Sequence, residues 1–140
     1  MTKPPTWFYV VAAIALLWNL AGLMAIAGDL SLSPADIAKL SPEQQALYAA
    51  RPGWSVVGSV LAVGAGTLGC VLLLWRRRWA IAAFVLSLVG IVLQDIGIFG
   101  IAGAGRNGDM VPVVLQGLVL VIAIALWLFA RRAQRNAWLT

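Results

Sequence analysis

The sequence predicts an all-α integral membrane protein: a four-transmembrane-helix bundle with one or two short extramembrane helices in its first loop. Three observations carry this reading. Of the 140 residues, 62% are apolar and only 11% are charged, where soluble proteins carry roughly a quarter charged residues. Four apolar runs, at residues 7–28, 54–75, 79 to about 104 and about 110–130, each approach or exceed the ~20 residues that a helix needs to cross the hydrocarbon core. The basic residues gather at the ends of these runs rather than along a polar face. The links are short, so residues 1–140 are expected to form a single membrane domain, and backbone amides left unpaired in lipid are too costly for anything but helices.

The first run follows Lys3 and contains Ala25-Ile26-Ala27, which resembles a signal-peptide cleavage site. It is longer than the usual apolar core of such a leader, so it is expected to stay as a span. The next stretch, residues 29–53, is polar enough for water and holds two helix starts. Ser33-Pro34-Ala35-Asp36 offers a serine cap, a proline in the first turn and an early acid. Ser41-Pro42-Glu43-Gln44 adds the spacing of a capping box. Short helices are therefore expected at residues 34–40 and 42–50, ended by Arg51-Pro52-Gly53.

The second run carries Gly58, Ala62, Gly66 and Cys70 on one helical stripe. The first offers Ala12, Ala15, Asn19 and Gly22, and the third Ala83, Ser87, Gly90, Gln94 and Gly97. Helices in lipid gain no hydrophobic drive toward each other, so small residues mark where backbones approach, and these stripes are the expected bundle core. Gly64, Gly66 and Gly69 match a dinucleotide fingerprint only as text, because no strand precedes them.

Orientation follows from the bases. Lys3, Arg76, Arg77, Arg78, Arg131, Arg132 and Arg135 fall on one set of connections; Lys39, Arg51 and Arg106 fall on the other, together with Asp29, Asp36, Glu43 and Asp109. Short loops with a seven-to-three bias place both termini and the arginine turn in the cytoplasm, and residues 29–53 outside it. Trp7, Trp54, Trp75, Trp79 and Trp127 sit at or near span ends, where an amphipathic ring prefers the headgroup level.

The net charge of +5 does not point to nucleic acid, because the bases do not line a polar arm or face. The chain has no histidine and one cysteine, which excludes imidazole-based haem or zinc ligation and any intrachain disulfide. No cofactor or metal is expected. Cys70 reads as a small packing residue. The spans hold no second acid, lysine or histidine to activate Ser59, Ser87 or Cys70, so no enzyme is expected.

Asp95 is the ionisable residue well inside a span, and an acid at that depth costs roughly 2.5–3.5 kcal/mol even on the lenient insertion scale. Arg106 is about 16 Å further along the axis, too far for a direct pair. The carboxyl group must be protonated, hydrated or hydrogen-bonded to neutral groups. Asn19, Gln94 and Gln116 are candidates: at 1.5 Å per residue, all four fall in the outer half of the membrane within about two turns of each other. Ser59 is a further candidate for this polar layer. Asp95, Asn19, Gln94 and Gln116 are thus the expected binding residues, with interhelical hydrogen bonding as the simpler role. Gln94 and Asp95 are about 100° apart, so one can face the bundle centre while the other faces elsewhere.

Pro5-Thr6-Trp7 with Leu17-Trp18-Asn19-Leu20-Ala21-Gly22, then Pro52-Gly53-Trp54, Leu72-Leu73-Leu74-Trp75-Arg76-Arg77-Arg78-Trp79-Ala80, Ser87-Leu88 and Gln94 give the chain a resemblance to a family of small bacterial four-span inner-membrane proteins. Its members are often labelled sugar transporters. The likeness covers nearly the whole chain, and its motifs are packing and interface residues. It implies the bacterial inner membrane and raises small-solute transport by a homo-oligomer as the expected function. The alternative is an accessory, assembly or structural subunit of a larger membrane complex. The expected partners are the lipid bilayer and further copies or subunits.

Overall fold

The computed structural model describes residues 2–104 and 110–140; Arg106 and Asp109, which entered the charge argument, lie outside the described residues. Among the described residues, six α-helices follow in order: α1 (Thr6–Leu30), α2 (Pro34–Ala38), α3 (Pro42–Ala50), α4 (Gly53–Leu74), α5 (Trp79–Asp95) and α6 (Val111–Arg135), with a π-helical segment at Ile96–Ile101 continuing α5. Of the helices in the described residues, four are long and apolar enough to cross a membrane: α1, α4, α5 with its π segment, and α6.

Local chemistry accounts for the boundaries. Pro5 and Pro52 sit in extended conformation just before α1 and α4. Ser41 closes a capping box with Gln44, as its spacing predicted, and the expected Ser33 cap is also a full box, with Asp36 as the reciprocal partner. The first short helix stops at Ala38, two residues early. α6 runs to Arg135 rather than ending near residue 130, because long arginine side chains tolerate a helix that emerges from the apolar layer and complement its C-terminal dipole. The third span loses α-geometry after Asp95: Ala102 N–H bonds Gly97 O at 2.9 Å, five residues back.

α4 and α5 form the central hairpin, α1 packs on α4, and α6 packs on α5. The small-residue stripes make this approach possible. A Cβ built on Gly58 would lie 2.8 Å from Gly90 O, and one on Gly90 would lie 2.6 Å from both Ala62 N and Gly58 O. The two backbones are therefore in direct contact, and Ser87 Oγ donates to Ala62 O across the same seam at 2.6 Å.

At the end that carries the arginine turn, large side chains fill the bundle. Phe8, Cys70, Leu73, Phe84, Trp138 and Leu139 share one buried cluster. Trp7 and Phe8 of α1 reach Phe129 of α6 and Trp138 beyond it, with ring centroids 5.5 to 6.0 Å apart. α4 and α6 both end in Schellman motifs on left-handed residues that are not glycine, Arg76 and Ala137, each at φ 58°. Arg77 N bonds Leu72 O at 2.8 Å, and Trp138 N bonds Ala133 O at 2.9 Å. The second turn sends the final residues back under the bundle. There Thr140 N donates to Arg76 O, and Arg78 N to Thr140 O, both at 2.8 Å, while Thr2 N donates to Ala137 O at 2.9 Å. Arg76 completes the latch, with Nε on Trp138 O at 3.0 Å and Nη2 on Thr2 O at 2.7 Å.

The opposite end is held by polar contacts. Tyr48 donates to Asp29, and Arg51 pairs with the other Asp29 oxygen at 3.0 Å while lying 4.9 Å over the Tyr48 ring. This ties α3 to the end of α1. Burial, and then the Asp29 bond, push the Tyr48 phenol above its ordinary value, so it remains a donor at neutral pH.

Candidate functional site

Between the latched end and the polar loop, α1 and α6 diverge and leave a cavity of about 320 Å³ that all four spans line. Its size falls at the low end of small-molecule pockets, and its make-up, mostly apolar walls with a few convergent polar groups, is what such pockets share. Phe84 and Leu126, part of the packed arginine half, form its lower wall. Trp18 on α1 and Leu115 on α6 line it and are also exposed, so the space opens between those two helices.

Three of the four residues singled out from sequence meet here. Asn19, Gln94 and Gln116 all line the cavity, together with Ser87. Asn19 Nδ2 donates to Ala15 O at 2.9 Å and to Cys70 Sγ at 3.5 Å, which fixes the amide plane. Its Oδ1 occupies the space that a Cβ on Gly66 would need, so the glycine of the α4 stripe makes room for the asparagine of α1. Gln94, buried on α5, donates through Nε2 to Gln116 Oε1 on α6 at 2.5 Å. That bond leaves the Gln94 carbonyl oxygen, the second hydrogen of the Gln94 amide and both hydrogens of the Gln116 amide uncommitted by it. Ser87 spends its proton on Ala62 O and keeps lone pairs for other donors.

Asp95 is not among the residues that line the cavity. It is half-buried, and its Oδ1 is buried with no hydrogen-bond partner among the described residues. It stands at the junction where α5 gives way to the π segment, a departure that recurs near functional sites. Gly97 follows two residues later against Ser55. Ser59 also stays out of the cavity, because its hydroxyl bonds back to Ser55 O within α4 at 3.2 Å.

All the lining residues are uncharged, so the site offers amide donors and acceptors, a hydroxyl and an indole face, but no counter-ion. The sequence reading did not count Trp18 among the binding residues. The available signal was its place beside Asn19 in mid-span, away from the headgroup level where the other tryptophans cluster. None of the family models compared matches the chain, and no curated protein or solved structure matches it either. The class is therefore defined by the fold alone: a multi-pass membrane protein built from four apolar helices.

Proposed function

We propose that this chain is a multi-pass protein of the bacterial inner membrane, with both termini cytoplasmic, that binds and moves a small uncharged, sugar-like solute as an oligomer and has no catalytic role. The uncharged cavity shared by Asn19, Gln94, Gln116 and Trp18 carries the reading. Amides exchange hydrogen bonds with hydroxyl groups, and an indole face stacks against the apolar side of a sugar ring. Four helices seldom enclose a path alone, and a cavity that opens between α1 and α6 is completed by a second copy. The seven bases on one side support the orientation, and the resemblance to a four-span family supports the solute class.

A second reading, an accessory subunit of a larger membrane complex, is favoured by Asp95, which stands outside the cavity lining and whose buried Oδ1 has no hydrogen-bond partner among the described residues. One experiment separates the two. Proteoliposomes containing the full chain are assayed for uptake of labelled monosaccharides. Gln94→Leu and Gln116→Leu are expected to cut uptake at least tenfold while the protein stays folded, and Asp95→Asn to leave uptake intact. Absence of uptake across neutral monosaccharides, or full uptake by Gln94→Leu, sinks the solute reading and leaves the second.

A further inference from the structure

The latched end concentrates positive charge that the protein does not itself neutralise. Lys3, Arg76, Arg77, Arg78, Arg131, Arg132 and Arg135 all belong to it, since the bonds among Thr2, Arg76, Arg78, Ala137 and Thr140 bring the first residues, the α4–α5 turn and the segment after α6 together. The described acids are elsewhere: Asp29, Asp36 and Glu43 lie in or beside the opposite loop, and Asp95 ends α5. The ion pair found among the described residues, Arg51 with Asp29, is at that other end. Two of the seven bases are occupied: Arg76 by the carbonyls of Trp138 and Thr2, and Arg131 by the face of Trp127 at 5.3 Å. Lys3, Arg77, Arg78, Arg132 and Arg135 remain exposed. Trp75 and Trp79 bracket the arginine turn and are each 68% exposed, and Trp7 is 45% exposed beside it. These rings define the headgroup depth.

We propose that this end is a binding surface for the headgroups of anionic phospholipids. A guanidinium matches a phosphate in a two-pronged hydrogen-bonded pair, and several of them beside indole rings at headgroup depth meet the phosphate where a lipid presents it. Net negative charge on the lipid distinguishes the occupant, because the ammonium of a zwitterionic lipid offsets its own phosphate. Each base near such a surface contributes about fivefold to binding. The surface is independent of the cavity and of whatever the cavity binds.

The full chain, purified in neutral detergent, is titrated with phosphatidylglycerol or phosphatidylcholine, and bound lipid is counted by native mass spectrometry. Phosphatidylglycerol is expected to bind at least tenfold more tightly and to weaken steeply with added salt. The double variant Arg132→Gln, Arg135→Gln should bind it roughly thirtyfold more weakly, while Lys39→Gln, exposed at the other end, should bind as the parent does. If the double variant does not fold, Arg77→Gln with Arg78→Gln takes its place, and the salt dependence of the parent protein needs no variant. Equal binding of the two lipids, salt-independent binding, or displacement of phosphatidylglycerol by the same concentration of inorganic phosphate overturns the proposal, the last by showing a site for free anions.

Discussion

The two halves of the bundle are made from the same four helices with similar hydropathy, yet one is closed and the other holds a cavity. In the arginine half, Phe8, Leu73, Phe84, Phe129 and Trp138 reach across from different segments, so that α1 and α6 meet through side chains. In the cavity half, the seam between α4 and α5 is built from Gly58, Ala62 and Gly90. Small residues draw these two helices together, and the buried cluster that joins them to α6 is small, formed by Ala62, Ile91 and Ala123. Hydropathy decides that a segment enters the membrane; side-chain size and hydrogen bonding decide whether the space between segments is filled. The amides show the difference, since Gln94 and Gln116 hold α5 to α6 at one point and leave room around it.

The strongest way to break the cavity half is to force α4 and α5 apart. Gly90→Leu places a branched side chain where the Ala62 and Gly58 backbones already stand within 2.6 Å of the first added carbon, and backbone cannot yield as a flexible side chain can. A loss of about 3 kcal/mol or failure to fold is expected, read as a lower midpoint in thermal denaturation in detergent. Gly64→Ala is the control. An added carbon there meets nothing within 4 Å, so helix propensity should leave it neutral or improve it by up to about 1 kcal/mol. Equal behaviour of the two variants would show that the seam is not close-packed.

The closed half is sharpened by a change in the opposite direction. Ala137 holds φ 58° so that the chain can turn back and bury Trp138 and Leu139. The left-handed region costs a residue with a Cβ about 1–2 kcal/mol, and part of that is returned when glycine, which is more mobile in the unfolded chain, takes the position. Ala137→Gly should therefore raise stability by about 0.5–1 kcal/mol, seen as a higher thermal midpoint and slower amide exchange at Trp138. Destabilisation would mean that the turn does not hold the end closed.

Spans, the Ser33 cap, the Ser41 capping box and the packing stripes were legible because each rests on local spacing: twenty apolar residues, serine before a first-turn proline, serine three positions before Gln44, small residues every fourth position. Depth arithmetic along the helix axes also brought Asn19, Gln94 and Gln116 into one layer, and these three line the cavity. Rotation about the axis was not legible. Gln94 and Asp95 share a depth, and only packing against α4 and α6 turns Gln94 inward and leaves Asp95 outside the cavity. The fold-back after α6 was hidden for a related reason. The usual marker of a Schellman turn is glycine, and here Arg76 and Ala137 serve, stabilised by bonds between residues more than sixty positions apart.

The smallest expected effect concerns α2, which belongs to neither half and whose residues are all at least partly exposed. Asp36 Oδ2 accepts from Ser33 N at 3.1 Å and from Ser33 Oγ at 2.9 Å, and these two bonds, the backbone one first, hold its carboxyl below the ordinary value of 3.8. A folded-state value below the unfolded one means that the cap's contribution is complete above the unfolded value and fades as pH falls through the folded one. Amide exchange at Ile37 and Ala38, corrected for its intrinsic pH dependence, should be constant from about pH 7 to about pH 5 and rise below about pH 4. The amides of α4 and α5 should not respond. Asp36→Asn cannot ionise, so its exchange should be flat across the same range, at a level set by the weaker neutral cap. A variant that keeps the acid response would move its origin to another group, and parent protein that stays protected at the lowest pH would show that packing of the loop, rather than the Ser33 to Asp36 box, holds α2 in place.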